Sequence, residues 1–249
     1  MIKSTLTSIQ ECLNEIVPSV KNQGPKPLAI KNEKNMNIWV FPSTKDFRKY
    51  QFRIIRNCLL SNTLVCLPTG LGKTFIAAVV MMNFYMWFDD GIIIFLAPTK
   101  PLIDQQKIAF SEIINGINED EISTLSGKYQ PVIRKDLYKE KRIMFMTPQT
   151  LQNDLDSNLI ESNKIVCLVI DEAHRASGNY AYCRIIRKLD KGNFGYRILA
   201  LSATPSSTVE GIQDVIDNLN IKEIEVRQED DYDVKPYMFS KQIELVKVD

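Results

Sequence analysis

A glycine-rich loop between an apolar run and a helical segment is the feature that most restricts the fold of this chain. Residues 63–67 have the character of a buried strand, and the loop continues as Leu67-Pro68-Thr69-Gly70-Leu71-Gly72-Lys73-Thr74. Glycines allow backbone N–H groups to turn toward an anion, and a following helix N-terminus adds a favourable dipole. A strand, a loop of this kind and a helix in this order predict an α/β domain that binds a nucleotide phosphate.

Short apolar runs recur along the rest of the chain. They lie at residues 63–67, 92–97, 122–125, 142–147, 165–171, 197–202 and 223–227, and stretches of helical length, such as 73–88 and 180–189, lie between them. Continuous Ile, Val and Leu runs are typical of strands that are covered on both faces. The alternation predicts one α/β domain, with a mostly parallel, doubly wound sheet of about seven strands and helices on both faces.

The two ends of the chain differ from this pattern. Residues 1–37 are rich in Lys, Asn and Pro, with a weakly helical stretch at 9–17, and we expect a partly disordered N-terminal extension. The acidic and polar residues 228–233 resemble the start of a linker. The predicted organisation is therefore an extension over 1–37, a domain over 38–228 and a linker over 229–249.

Composition excludes several classes of protein. Hydrophobic residues make up 45% and charged residues 24% of the 249 residues, as in soluble globular proteins, and no apolar run approaches the roughly 20 residues of a membrane helix. The polar start of the chain lacks the apolar core of a secretory signal, so we expect an intracellular protein. A net charge of +1 gives no globally basic surface, so any contacts with nucleic acid must be local.

Cysteine and histidine usage argues against a structural metal site. The five cysteines show no C-x-x-C spacing, and the chain has a single histidine, so neither a zinc site nor an iron–sulfur centre is predicted. Cys66 and Cys167 lie in apolar runs and are expected to be buried, reduced thiols.

The loop and one later strand together predict a site for ATP with Mg²⁺. Lys73 is expected to bridge the β- and γ-phosphates and Thr74 to ligate Mg²⁺. The general loop pattern has glycine at position 67, where this chain has Leu67. Asp171 and Glu172 follow the strand at 165–170, and their expected roles are to hold the Mg²⁺ shell and to activate the attacking water.

Longer strings of residues identify a family. The loop, Asp171-Glu172-Ala173-His174 and Ser202-Ala203-Thr204 occur in the order of motifs I, II and III of superfamily 2 helicases. Ala97-Pro98-Thr99-Lys100-Pro101-Leu102 and Gly178-Asn179-Tyr180-Ala181-Tyr182 narrow the match. From about residue 38 to about residue 235 the sequence resembles the FANCM/Hef family of DNA translocases, including its fungal Mph members. The resemblance implies an N-terminal RecA-like lobe with a DEAH box.

The resemblance also implies roles for further residues. Gln51 resembles the glutamine that recognises adenine, and His174 is expected to sense the γ-phosphate or to contact a neighbouring motif. Ser202, Ala203 and Thr204 resemble the motif that couples the ATP site to the strand-binding surface. The implied DNA-backbone contacts are motif Ia at Pro98, Thr99, Lys100 and Pro101, motif Ib at Ser126 and Gly127, and motif Ic at Thr147, Pro148 and Gln149.

Members of this family carry a second RecA-like lobe with an arginine finger, and no residues here match it. An arginine finger contributes roughly 10³–10⁵ in rate in related sites. We therefore expect the chain to be the N-terminal part of a longer protein, to bind ATP weakly and to hydrolyse it hardly at all by itself. The resemblance implies ATP-driven 3′–5′ unwinding and remodelling of branched DNA in nuclear repair, with DNA, the second lobe and repair proteins as partners and no membrane.

Two other functions fit the motifs. An RNA-directed duplex ATPase of the RIG-I or Dicer type shares the same site, although such proteins commonly have Cys where this chain has Ala173. A catalytically silent nucleotide-binding scaffold is the other alternative. The presence of Lys73, Asp171 and Glu172 argues against a scaffold, which has no need of a water-activating carboxylate.

Overall fold

The computed structural model describes residues 28–43, 47–114, 116–204 and 208–237. Seven strands form one sheet in the order β3-β4-β2-β5-β6-β1-β7, and every paired neighbour is parallel. The strands are β1 Thr63–Cys66, β2 Ile92–Leu96, β3 Ile122–Leu125, β4 Ile143–Met146, β5 Ile165–Ile170, β6 Arg197–Ser202 and β7 Glu223–Val226. The predicted fold class is confirmed.

Within the described residues there are seven α-helices, of which the first precedes β1 and the other six connect successive strands. They are α1 Lys49–Leu60, α2 Lys73–Trp87, α3 Lys100–Ile113, α4 Pro131–Glu140, α5 Pro148–Asp156, α6 Ala181–Asp190 and α7 Val209–Asn218, with short 3-10 turns at Glu119–Glu121, Ser162–Lys164, Ala173–Arg175 and Lys235–Tyr237. Among the residues described, no helix combines the length and apolar character needed to cross a membrane.

The central strands are apolar on both faces because a core lies on each side of the sheet. In β2, Ile93 and Phe95 belong to the core that also contains α1, α2 and α3, whereas Ile94 and Leu96 belong to the core on the opposite face. All five residues of β2 and all six of β5 are buried. This two-sided burial explains why the strands could be read as continuous apolar runs.

Several predicted strands extend one residue too far. Leu67, Ala97 and Asp171 each continue a ladder by a single backbone hydrogen bond, to Ser202, Met146 and Leu96 respectively, before the chain turns away. These residues begin the loops at the carboxyl edge of the sheet. In doubly wound folds, ligands bind at this edge.

An N-terminal segment, residues 28–43, packs along α2. The side chain of Asn83, which is fully buried, accepts from Val40 N at 2.7 Å and donates to Val40 O at 2.8 Å, and Trp87 Nε1 donates to Ile38 O at 2.8 Å. Most of the predicted extension, including residues 9–17, lies outside the described residues, as do residues 238–249 of the predicted linker. At the start of that linker, Val234 is buried and Tyr237 packs on the ring of Tyr50.

Candidate functional site

The glycine-rich loop has the backbone geometry of a phosphate-binding turn. Gly70 and Gly72 have φ angles of 89° and 90°, a region that side chains rarely adopt, and α2 begins at the next residue, Lys73. A Cβ on Gly72 would lie 2.2 Å from Nε2 of Gln51. Position 72 therefore requires glycine both for its φ angle and for the close approach of Gln51.

Lys73 lies between the loop and the carboxylates that follow β5. Its Nζ donates to the carbonyl oxygen of Leu67 at 2.5 Å. Burial lowers the pKa of the Lys73 amine, while Asp171 and Glu172 act in the opposite direction. Only β6 lies between the parallel strands β1 and β5, so the predicted phosphate ligand and the predicted acidic pair lie at the same edge of the sheet.

Hydrogen bonds to the side chain and to the carbonyl of Asp171 fix the position of the acidic pair. The backbone N–H of Glu172 donates to Asp171 Oδ1 at 2.9 Å, and the buried Tyr182 hydroxyl donates to the Asp171 carbonyl at 2.7 Å. Asp171 is 7% exposed, and burial raises the pKa of its carboxyl, an effect that the Glu172 N–H bond opposes. Glu172 has a φ of 52°, an uncommon angle for a residue other than glycine and one found at strained functional sites.

His174 connects the acidic pair to the end of β6. Its Nδ1 lies 3.2 Å from Ser202 Oγ and 3.3 Å from Glu172 Oε2, and Ser202 Oγ donates to the Thr204 carbonyl at 2.5 Å. The predicted coupling residues 202–204 therefore begin in direct contact with the DEAH residues. A change at Glu172 has a short path to the Ser202 loop through this imidazole.

Gln51 lies beside the loop, in a cavity of about 350 Å³. Its Nε2 donates to the Leu71 carbonyl at 3.1 Å, and the Tyr50 hydroxyl donates to the same oxygen at 2.8 Å. The cavity is lined by Arg48, Gln51, Gly70, Gly72, Thr74, Phe75 and Ile113. The adenine-recognising residue predicted from sequence is thus adjacent to the phosphate loop.

Sequence reasoning missed Arg48 as a wall of this cavity. Arg48 has an extended backbone directly before α1 and lies three residues before Gln51 in the sequence. Its closeness to Gln51 in the sequence is the signal that could have identified Arg48. Its guanidinium carbon lies 5.1 Å from the centre of the Tyr237 ring, within the range of a cation–π contact.

The two oxygen ligands predicted for Mg²⁺ are the hydroxyl of Thr74, in the first turn of α2, and the carboxylate of Asp171, directly after β5. Mg²⁺ in proteins usually takes one or two carboxylates together with substrate phosphates and water. Over the described ranges, no group of three or more His, Cys, Asp or Glu side chains is arranged to hold a metal. The donors present fit a cation that is bound jointly with a nucleotide.

The predicted DNA-contacting residues lie on the other half of the carboxyl edge. Thr99 precedes α3 and is exposed together with Lys100 and Pro101, whereas Pro98 is half-buried. Gly127 is exposed after β3. These positions follow β2 and β3, on the side of the sheet away from β1.

Motif Ic lies at the start of α5, after β4. Thr147 accepts a hydrogen bond from the Thr150 N–H at 3.3 Å, Gln149 is exposed, and Pro148 is buried. Pro148 therefore packs into the domain at the first turn of the helix, a position that proline favours, and presents little surface for a contact. Gln149 and the helix N-terminus are the exposed parts of this motif.

All four cysteines in the described residues are free and buried, at Cys58, Cys66, Cys167 and Cys183. Burial raises the pKa of the Cys66 thiol to about 11, with Lys73 acting in the opposite direction. The expectation of buried thiols at Cys66 and Cys167 is confirmed.

Comparisons with known proteins connect these features to a family. Residues 44–207 match the family described as type III restriction enzyme, res subunit. A Fanconi anemia group M protein homolog from Mus musculus is 48% identical over 211 residues, which cover 85% of this chain and 10% of that protein. The ATP-dependent DNA helicase mph1 of Sclerotinia sclerotiorum is 47% identical over 219 residues, covering 88% of this chain and 18% of that protein.

A solved structure agrees with these matches. The Pyrococcus furiosus Hef helicase domain has a TM-score of 0.75 and 38% identity, and the match covers 80% of this chain and 42% of that chain. The chain spans between 10% and 28% of the length of the curated relatives that it matches.

Proposed function

The chain belongs to the family described as the res subunit of type III restriction enzymes, and we propose that it forms the ATP-binding lobe of a DNA helicase or translocase. The finer proposal is ATP-dependent 3′–5′ movement that remodels branched DNA, such as forks, junctions and D-loops, during repair in the nucleus. Its support is the similarity to proteins named Fanconi anemia group M protein homolog and ATP-dependent DNA helicase mph1.

One observation carries the nucleotide part of the proposal. The loop after β1, which ends at Lys73, and the carboxylates after β5 lie at the same edge of the parallel sheet, and the negative charges of Asp171 and Glu172 act on the Lys73 amine. Only β6 separates β1 from β5, so their carboxyl ends form the two sides of one crevice. A phosphate chain placed against the loop would therefore lie within reach of the acidic pair.

The residues take distinct roles in this proposal. The loop N–H groups and Lys73 bind the phosphates, Thr74 and Asp171 hold Mg²⁺, and Gln51 selects adenine. Bound Mg²⁺ would neutralise charge on the β- and γ-phosphates. Glu172 orients and deprotonates the attacking water, and it is held toward the crevice by its contact with His174.

The nucleic-acid part of the proposal concerns the loops after β2, β3 and β4. N–H groups at the starts of α3 and α5, with Lys100 and Gln149, bind backbone phosphates without reading bases. A second RecA-like lobe would close over the nucleotide with its arginine finger, so that alternating closure moves the protein along the strand. Partners that recruit the protein to repair sites are part of the same proposal.

The test uses Glu172→Gln in the two-lobed protein, with ATP turnover measured on forked DNA and on double-stranded RNA. We expect turnover on forked DNA to fall by about 10²–10⁴-fold, since Glu172 acts as the general base, while ATP binding is retained. Glu161→Gln is the matched control, because Glu161 is an exposed carboxylate paired with Lys164 at 3.7 Å, remote from the loop, and should leave turnover unchanged.

The other possible outcomes of this test either support a different function or contradict the need for a second lobe. Unchanged turnover in Glu172→Gln would support the silent scaffold. Stronger stimulation by double-stranded RNA than by forked DNA would support an RNA-directed ATPase. Robust DNA-stimulated hydrolysis by the 249-residue chain alone would contradict the proposed need for a second lobe.

A further inference from the structure

A buried ion pair lies behind the loops that are proposed to contact nucleic acid. Arg134 in α4 and Asp154 in α5 are 8% and 0% exposed. Arg134 Nε lies 2.9 Å and 3.1 Å from the two oxygens of Asp154, and Arg134 Nη2 lies 2.7 Å from Oδ1. The buried Tyr138 hydroxyl donates to Asp154 Oδ2 at 2.9 Å. These three residues, the Arg134 cluster, join α4 to α5.

The Arg134 cluster also holds the loop that follows β3. The remaining guanidinium nitrogen, Nη1, donates to the carbonyl oxygen of Tyr129. Within the loop, Tyr129 N donates to Ser126 O at 3.0 Å, and Lys128 N donates to Ser126 Oγ at 3.3 Å. Residues 126–129 therefore form a closed turn that is attached to Arg134 at its C-terminal end.

The loop and the start of α5 are neighbours at the carboxyl edge. Strands β3 and β4 are paired, with Leu125 opposite Met146, so the segments that follow them leave the sheet side by side. A Cβ on Gly127 would lie 3.9 Å from Thr150 Oγ1, at ordinary contact distance. Each segment is therefore fixed to one partner of the same buried ion pair.

A buried ion pair such as that of Arg134 and Asp154 fixes the relative positions of the groups that it joins more than it stabilises the fold. Removing two charges from water costs much of what their attraction returns, so a buried ion pair is weak support for a fold. A guanidinium with several donors in a rigid plane does fix the relative orientation of the groups that it bonds. A lysine at position 134 could not reach both the carboxylate and the Tyr129 carbonyl with matching geometry.

We propose that the Arg134 cluster positions residues 126–128 and the N-terminus of α5 as one rigid surface, so that both bind phosphates of the same nucleic-acid strand. This inference rests on the proposed function, because it takes nucleic acid as the partner of this edge. Arg134 is a positioning residue that acts through Tyr129 and Asp154 and touches no phosphate itself.

The experiment compares Arg134→Lys with the wild-type chain, using fluorescence anisotropy of a labelled forked DNA over a range of low salt concentrations. We expect the Kd to rise about tenfold and the slope of log K against log salt to shrink by about two, the loss of two phosphate contacts. ATP affinity should not change, because the nucleotide loop lies on the other half of the edge.

Two further variants separate positioning from general destabilisation. Arg142→Lys removes a guanidinium that donates to the Tyr85 carbonyl at 2.8 Å, at the amino end of β4, and should leave the salt slope at its wild-type value. Tyr138→Phe removes only the hydrogen bond from Tyr138 to Asp154. Because Arg134 keeps its contacts with Asp154 and Tyr129, and these carry the positioning, this variant should also keep the wild-type slope. A merely structural role would lower stability without changing the slope.

The outcomes distinguish this inference from the proposed function. Wild-type affinity and slope in a folded Arg134→Lys variant would overturn the positioning role alone, whereas no DNA binding by the wild-type chain would overturn both. If Arg134→Lys does not fold, hydrogen–deuterium exchange of the wild-type chain decides. Joint protection of residues 126–130 and 147–150 by DNA supports the inference, and protection of only one of these segments overturns it.

Discussion

The two halves of the carboxyl edge are organised differently. In the nucleotide half, at the ends of β1, β5 and β6, functional groups contact one another directly, as in the bonds from Lys73 to Leu67 and from Gln51 to Leu71 and the contact of His174 with Ser202. In the nucleic-acid half, at the ends of β2, β3 and β4, the exposed residues are placed by helix starts and by an ion pair behind them.

This difference has consequences for mutation. Where each side chain contacts the next, a single substitution should disturb the whole nucleotide site, because networks of contacts are not additive. Where contacts are separate, each exposed residue should contribute a small and independent share. We therefore expect single changes at the nucleotide site to have large effects on ATP binding or turnover, and single changes at exposed residues of the other half to have small effects on DNA binding; the buried Arg134, which positions two segments, is the exception.

The largest expected effect comes from Asp171→Asn. Removing the carboxylate proposed to bind Mg²⁺ should lower ATP turnover of the two-lobed protein by about 10³-fold, since a bound metal would supply several kcal/mol of charge stabilisation. The same change removes a carboxylate that is 7% exposed, so the free energy of unfolding should rise by about 1 kcal/mol. ATPase assays and chemical denaturation measure the two effects.

Asp156→Asn is the control for this variant, because Asp156 is exposed and paired with Lys188 at 2.8 Å, on the far end of α5. It should change neither turnover nor stability appreciably. Full ATP turnover in Asp171→Asn would contradict the proposed role of Asp171 in the nucleotide half.

Gly72→Ala should give the next largest effect. A side chain at a φ of +90° strains the backbone, and the new Cβ, 2.2 Å from Gln51 Nε2, would displace the side-chain amide of Gln51. We expect ATP affinity to fall at least about tenfold and stability to fall by about 1–3 kcal/mol. Calorimetric titration of ATP and thermal unfolding measure these changes.

Gly178→Ala is the matched control, since Gly178 has a φ of +55° with open space around a new Cβ. It should cost stability through backbone strain alone and leave ATP affinity unchanged. Equal loss of ATP affinity in both variants would show that the loop is not specifically sensitive at Gly72.

The smallest expected effect comes from Lys100→Ala in the nucleic-acid half. Lys100 is exposed, and losing one phosphate contact should weaken DNA binding about two- to fivefold and reduce the salt slope by about one. ATP affinity should be unchanged. Lys191→Ala, an exposed lysine just after α6, should change neither quantity. If DNA affinity fell by about 10²-fold in Lys100→Ala, the residues of this half would depend on one another as strongly as those of the nucleotide half.

Much of the fold follows from local sequence patterns. The seven strands were placed within one residue at each end, because strands buried on both faces form uninterrupted apolar runs. The resemblance to the FANCM/Hef family, read from the loop, the DEAH residues and Ser202-Ala203-Thr204, is confirmed by the relatives and by the Hef structure. The roles of individual site residues stay predictions.

Long-range contacts could not be predicted in this way. The pair of Arg134 and Asp154 joins residues 20 apart in sequence, and Asn83 bonds to Val40 from 43 residues away. The sequence around Arg134, Asp154 and Asn83 does not indicate that these polar side chains are buried, because the partner of each lies on another segment of the chain. The left-handed backbone at Glu172 was likewise not predictable, since residues other than glycine seldom adopt it.

Whether the chain itself binds ATP decides whether the glycine-rich loop is a nucleotide site. Titration of the chain with a fluorescent ATP analogue and Mg²⁺, for wild type and for Lys73→Ala, measures whether the loop binds phosphates. Because Lys73 follows the glycine-rich loop at the edge of the sheet where Asp171 and Glu172 also lie, we expect saturable, Mg²⁺-dependent binding that is lost in Lys73→Ala. Equal binding by the two proteins, or no binding by the wild-type chain, would show that this loop is not an ATP site.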